Sequence, residues 1–351
     1  MYKTMSIFCS AAALLLGSCS GVATAPESEA RYIFTADYMA DPAVHLFDGR
    51  IYIYPTHDRI SEVTSPEDGA HYDMVDYHVL RMDSPQQSEA EDCGAVLSVD
   101  NVPWAVKQMW ACDAACKDGR YYLYFPAKDA DGIFRIGVAL ADKPDGPFVP
   151  LSEPMEGAYS IDPAVFSDGR DHYIIFGGLQ GGQLQRWRDN CLLPDNSFAA
   201  DGEPALEPRI ARLADDMLSL AEPSRGVCIV GADGEPLKAD DPHRFFEGAW
   251  VHRSGDEYCL SYSTGTTHMI CYATADNPYG PYTYRGVLLT PVTGWTTHHS
   301  TIEIDGRWYL FFHDSAPSGG RSSLRSLKMA EIFHNPDGSW RTVDGGKNRQ
   351  I

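Results

Sequence analysis

The sequence predicts an all-β fold, a five-bladed β-propeller, on three observations. First, a strand–turn–strand phrase recurs five times. Its best copy is Ser160–Gly177, where the apolar run behind Asp162 stops at Ser167-Asp168-Gly169-Arg170 and restarts as His172–Phe176. The other copies are Met39–Tyr54, Gln108–Phe125, Phe246–Tyr262 and His298–His313. Second, each copy carries a polar residue in the same slot: Asp41, Asp113, Asp162, Glu247 and His299. Third, the phrase Lys143-Pro144-Asp145-Gly146-Pro147-Phe148 returns as Asn277-Pro278-Tyr279-Gly280-Pro281-Tyr282, so the repeat extends beyond the inner hairpin. Such units, separated by insertions, mark a radial repeat. In that architecture the innermost strands line one channel, and the five slots converge at its mouth.

In chain order, the N-terminus reads as a targeting segment. Lys3 precedes the apolar stretch Ile7–Leu16, which ends in Leu16-Gly17-Ser18-Cys19. That phrase looks like a bacterial lipobox, which implies a signal peptide over residues 1–18, cleavage before Cys19 and a lipid on its thiol. Cleavage after Ala23-Thr24-Ala25 is the competing reading. On either reading the protein is exported, as an outer-membrane lipoprotein or a periplasmic protein. Residues 19–30 read as a flexible tether and 31–345 as one propeller domain with no linker or second composition regime.

Arg31–Tyr54 is expected to form the first hairpin. Ile60–Asp73 and Asp189–Glu207 read as long loops able to wall off one end of a cleft. Tyr77–Met82 and Arg135–Ala139 read as outer strands. Arg209–Leu220, with apolar residues at Ile210, Leu213, Met217 and Leu220, has the spacing of a helix on the rim.

A hydrophobic content of 44% over 351 residues supports a substantial core. The net charge of -21 argues against nucleic-acid or anionic-membrane partners, so contact with a membrane is expected only through the lipid on Cys19. Beyond Cys9 and Cys19, seven cysteines remain, and the spacing Cys112-x-x-x-Cys116 matches no metal framework. Counting outward from Gly265 sets Cys259 opposite Cys271, which leaves two outcomes open: a disulfide, or two adjacent buried thiols.

Ala40-Asp41-Pro42-Ala43-Val44, Ser160-Ile161-Asp162-Pro163-Ala164-Val165, Phe246-Glu247-Gly248-Ala249-Trp250 and Thr297-His298-His299-Ser300 together resemble glycoside hydrolase family 43. The resemblance spans roughly Tyr32 to Val343. It departs at blade two, where Trp110-Ala111-Cys112-Asp113 replaces the commoner Trp-Ala-Pro-Asp. It implies a five-bladed propeller that removes terminal xylose or arabinofuranose from plant glycans with inversion. Asp41 matches the general base, Glu247 the general acid, and Asp162 the acidic residue that tunes the acid.

Acetal hydrolysis needs one protonated and one ionised carboxyl, about 6.5–9.5 Å apart in inverting enzymes. A third carboxylate beside the acid raises its pKa. Trp110 reads as a sugar-stacking residue or an inter-blade packing residue. Arg325 matches a sugar-contacting arginine of the family, and His299 is expected to face the sugar. No cofactor is required. His298 is the residue for a structural calcium or sodium ion such as some relatives hold through a histidine and waters, a water-filled channel being the alternative.

Two other functions compete. Retaining fructan hydrolases share the fold but carry Asn-Asp-Pro, Arg-Asp-Pro and Glu-Cys, where this chain has Ala40-Asp41-Pro42, Ile161-Asp162-Pro163 and Glu247-Gly248. A non-catalytic glycan-binding lipoprotein has no need of three matched acids.

Overall fold

A computed structural model describes residues 27–169 and 171–347, together with Met1. The signal segment, Cys19 and most of the tether lie outside the described residues. Among the described residues five blades follow one another along the chain, with a small two-stranded ribbon, Trp187–Arg188 and Cys191–Leu192, inserted in the third. Blade one is Met39–Phe47, Arg50–His57, Asp76–Met82 and Glu91–Ser98. Blade two is Asp113–Lys117, Arg120–Lys128, Phe134–Ala141 and Val149–Pro150. Blade three is Ala164–Ser167, His172–Phe176, Arg209–Arg212 and Arg225–Gly226. Blade four is Phe245–Ser254, Glu257–Thr264, Ile270–Ala275 and Tyr282–Leu289, with Ile229–Val230 added in parallel at its edge. The chain is thus a five-bladed β-propeller, and its helical segments among the described residues are short 3-10 turns.

Blade five is His299–Ile304, Arg307–Asp314 and Ser326–Ile332, and its outermost strand is Arg31–Tyr32. Arg31 lies opposite Met329, so the beginning of the described chain completes the last blade and shuts the ring. This corrects the expected first hairpin: Arg31–Tyr32 does not pair with Met39–Phe47, the next strand in the chain, which opens blade one. Apolar faces meet between blades. One buried cluster joins blade one to blade five through Ile51, Leu80, Phe311 and Leu327. Another joins blades four and five through Ile270, Leu289, Leu310 and Phe312.

The expected helix at Arg209–Leu220 is a strand followed by a turn. Arg209–Arg212 pairs with Tyr173–Phe176, and Ala214 N donates to Ser219 O across a turn in which Met217 takes a φ of 64°. Ile210, Leu213 and Met217 are buried as the spacing demands. The edge of His172–Phe176 needs a hydrogen-bonding neighbour, and tertiary pairing overrides the helical period.

The Cys259–Cys271 register is corrected too. The turn is four residues, Gly265–His268, closed by Thr264 N donating to Met269 O. Cys259 therefore faces Thr274 while Cys271 faces Tyr262. The two thiols lie on opposite faces of the sheet, and both are free and buried.

Candidate active site

Local backbone departures aim the acids. In blade one, Ala40 pairs with Thr56 and Ala43 with Tyr54, so Asp41 and Pro42 together oppose Pro55 alone. This bulge turns Asp41 out of the ladder at a φ of 51°. In blade three, Asp162 has a φ of 55° just ahead of its strand. In blade four, the register slips between Glu247 and Trp250, with Gly248 at a φ of 65°. A side chain at Gly248 would meet the His298 ring at 2.7 Å, so only glycine gives Glu247 this setting. A non-glycine residue in this region costs about 1–3 kcal/mol, which the surrounding sheet must offset.

Asp41 is 5% exposed. Its Oδ1 accepts from Arg325 Nη1 at 2.8 Å and its Oδ2 from Thr56 Oγ1 at 2.8 Å. Its backbone N–H donates to His313 Nδ1 at 3.1 Å, which leaves the proton of that imidazole on Nε2, facing Thr296 O at 3.1 Å. Burial drives the imidazole down to about 3, so it is neutral in this role. Burial, the largest single influence, would raise the Asp41 carboxyl, but the Arg325 charge, the His313 and His298 rings and the Thr56 hydrogen bond together outweigh it and hold the group down to about 2. Arg325 is fixed by Asp58, to which Nε and Nη2 donate at 2.8 and 2.7 Å. A bidentate pair of this kind sets the guanidinium in one orientation.

Asp162 accepts from Gly248 N at 2.9 Å, and its Oδ2 lies 3.8 Å from His298 Nε2. Burial, then the charges of Glu247 and Asp41, push Asp162 well above the usual carboxyl range. Burial, then Asp41, push Glu247 up to about 8, Arg325 pulling back only in part. The two acids therefore retain a proton between them at neutral pH, and the Gly248 N–H favours the anionic form on Asp162.

Asp41, Asp162, Glu247, His298 and Arg325 line one pocket of about 430 Å³, within the range of small-ligand sites. Loop 66–74 forms one wall, and Gly181 approaches Asp68 O so closely that an added Cβ would sit 2.9 Å away. The expected wall at Ile60–Asp73 is therefore present, whereas its partner is the turn Gln180–Gly182 rather than Asp189–Glu207. Trp110 is 9% exposed, donates Nε1–H to Tyr72 O at 2.8 Å and packs on Phe134, so it both lines the pocket and packs between blades. Trp295, half exposed, stands at the pocket with its ring against His268.

The structure brings Asp41, Asp162, Glu247, Trp110, Arg325 and His298 together and leaves out two residues of the repeating slot. His299 is fully buried, with Nε2 2.6 Å from Ser261 Oγ, and does not line the pocket. Its neighbour His298 does, because alternation along a strand sends the two rings to opposite sides. Asp113 accepts from Ala114 N and Val165 N at 2.8 and 2.6 Å and lies 2.6 Å from His45 Nε2. It starts a regular strand with no bulge to turn it out, and it ties blade two to blade three. Sequence reasoning missed Thr56, Asp58 and His313. Thr56 and Asp58 sit two apart at a strand end, an alternation that puts both on one face, but no local pattern announces the distant partners.

Several carboxyls gathered in one pocket of a propeller are what an enzyme that hydrolyses glycosidic bonds through a carboxyl pair would carry. The sequence model of the family described as "Glycosyl hydrolases family 43" matches residues 90–340. A xylosidase/arabinosidase of Bacteroides ovatus is 54% identical over 91% of this chain and 99% of its own. A β-xylosidase of Xylanibacter ruminicola is 51% identical over 90% and 99%. Among solved structures, a family 43 enzyme of Xanthomonas citri complexed with xylotriose is 53% identical, with a TM-score of 0.87 over 92% of this chain and 96% of that one. The chain belongs to glycosyl hydrolases family 43. Membership of that family sets aside the fructan hydrolase, and its being a glycosidase sets aside the non-catalytic binding protein.

Proposed function

We propose that this enzyme is an exo-acting, inverting glycosidase that releases terminal xylose or arabinofuranose from hemicellulose or pectin glycans. The observation that carries the reading is the divergence of Asp41 and Glu247: two carboxyls in one pocket, one held down to about 2 and one pushed up to about 8. Glu247 protonates the departing glycosidic oxygen. Asp41, ionised and oriented by Arg325 and Thr56, takes a proton from the water that attacks the anomeric carbon from the other side. Asp162 keeps the proton on Glu247 by its own charge. The site's net negative charge favours the oxocarbenium-like transition state.

The pentose choice rests on the named activities of the relatives, and exo action on the wall made by loop 66–74 and Gln180–Gly182. Polar residues at the pocket, His298 and Thr296 among them, would meet sugar hydroxyls. His298 Nδ1 and His299 Nδ1 are buried without partners. Calcium takes six to eight oxygen ligands, so these imidazoles suit an ion held mainly by water, and no step of the hydrolysis is assigned to it.

Proton NMR of the first turnovers on β-linked xylo-oligosaccharide tests the mechanism. Inversion releases α-xylose before mutarotation; initial release of β-xylose overturns the assignment. Parallel assays on nitrophenyl β-xyloside and α-arabinofuranoside identify the preferred pentose.

Export with a lipid on Cys19 is part of the proposal. Cys19→Ala is expected to move the protein from the membrane to the soluble fraction, and a mature N-terminus at Pro26 would refute the anchor.

A further inference from the structure

We propose that His57, Asp76 and His78, on blade one, form a binding site for one divalent transition-metal ion of the zinc class. The residues lie outside the catalytic pocket and come together through strand register. Thr56 pairs with Tyr77, which sets His57 across from Asp76, with His57 Nδ1 2.8 Å from Asp76 Oδ1. His78 lies two residues beyond Asp76 and so on the same face of the sheet. The two imidazole centroids are 4.5 Å apart. One ligand atom from each of the three residues lies within 4.8 Å of the others, close enough for small side-chain rotations to gather them at metal–ligand distances of about 2.0–2.2 Å.

A second observation concerns the outer atoms. His78 Nδ1 lies 3.0 Å from Asp92 Oδ1, which leaves Nε2 free for a ligand bond. His57 Nε2 lies 3.3 Å from Asp37 Oδ2, which leaves Nδ1 as the ligating atom. A ligating histidine commonly donates its far N–H to a carboxylate, which fixes the tautomer and the ring. Here both histidines have such a partner.

Three carboxylates, Asp37, Asp76 and Asp92, lie within hydrogen-bond distance of the two imidazoles, and an ion at His57 Nδ1 would take the place of the proton between that atom and Asp76. Two nitrogens and one carboxylate select zinc, cobalt or nickel over calcium or magnesium, which prefer oxygen. Side-chain exposures of 20, 24 and 16% for His57, Asp76 and His78 give an ion access from solvent and room for water as a fourth ligand. Thr56 and Asp58, on either side of His57, hold Asp41 and Arg325. An ion at His57 would therefore fasten the strand end beneath the base.

Calorimetric titration of the chelator-stripped full chain with cobalt(II), followed also by its visible absorption, tests the site. One equivalent is expected at this site, separate from any ion held by the channel histidines. Affinity should fall at least 100-fold in His78→Gln and about 10–100-fold in Asp92→Asn, the partner of its far nitrogen. Circular dichroism checks that each variant is folded, and Asp92→Asn decides if His78→Gln is not. His172→Gln, on blade three and in neither site, should bind as the wild type does. Absence of saturable binding to the wild type, or unchanged affinity in the folded variants, overturns the proposal.

Discussion

Asp41 and Glu247 share a pocket but are driven in opposite directions by what touches them, a cation and a hydroxyl in one case, burial and a like charge in the other. Two predictions belong at this scale. The first is a kcat/KM that falls above about pH 8, as Glu247 loses its proton, with the limb absent in Glu247→Gln assayed on an aryl glycoside with a good leaving group. The same variant should lose about 10²–10⁴ in rate on unactivated oligosaccharide, and a leaving group that needs no proton should restore part of it.

The second is a stability effect, and its sign follows from linkage. A folded-state value near 8 against about 4.3 unfolded means that the native state holds the extra proton, so this group's contribution to stability declines as pH rises from about 4 to 8. Glu247→Gln should therefore melt at or above the wild-type temperature at pH 8. Asp41 behaves oppositely: its contribution is present above about pH 4 and is lost as pH falls toward 2. A Glu247→Gln protein that melts well below wild type at pH 8 would contradict the assigned environment. The three acids were legible because each sits in a recurring phrase. Asp58 was not, since its meaning depends on Arg325, 267 residues away.

At the scale of elements, bulges do the aiming. Gly248→Ala should cost about 1–3 kcal/mol of stability and depress kcat more than KM, because the new Cβ presses on His298 and re-aims Glu247. Denaturant unfolding with steady-state kinetics reads both quantities, and a neutral result would remove the steric argument. The hairpins were legible from alternation and Asp-Gly turns. The strand Arg209–Arg212 was not, because four residues give too little alternation to outweigh a helical spacing that buries the same side chains. The Gly265 turn misled in a similar way: glycine marks a turn but does not fix its length, and a three-residue error in the pairing sum moved Cys271 to the other face. Alkylation of the unfolded, unreduced protein should label both Cys259 and Cys271.

At the scale of the molecule, five recurrences announced five blades, but nothing in Arg31–Tyr32 announced that it belongs to the fifth. Two residues carry no repeat. Their place depends on the open edge left by Ser326–Ile332. Arg31 donates to the carbonyls of Pro85, Gln87 and Ser88 at 2.6–2.8 Å, which fastens the closing strand to blade one. Arg31→Ala should cost about 1–3 kcal/mol and lower the melting temperature by a few degrees without changing KM.

That closure also fixes when the ring can form. Arg31 reaches Met329 across 298 residues of chain, so the earliest strand of the propeller waits for nearly the last one to be synthesised. At about 5–20 residues per second, the wait is roughly 15–60 s. During it the nascent chain carries blades without a seam, their edges unpaired and their apolar faces partly uncovered. The enzyme thus exists only once its final strand has been made, and any chaperone or export apparatus that handles it meets an open chain rather than a toroid.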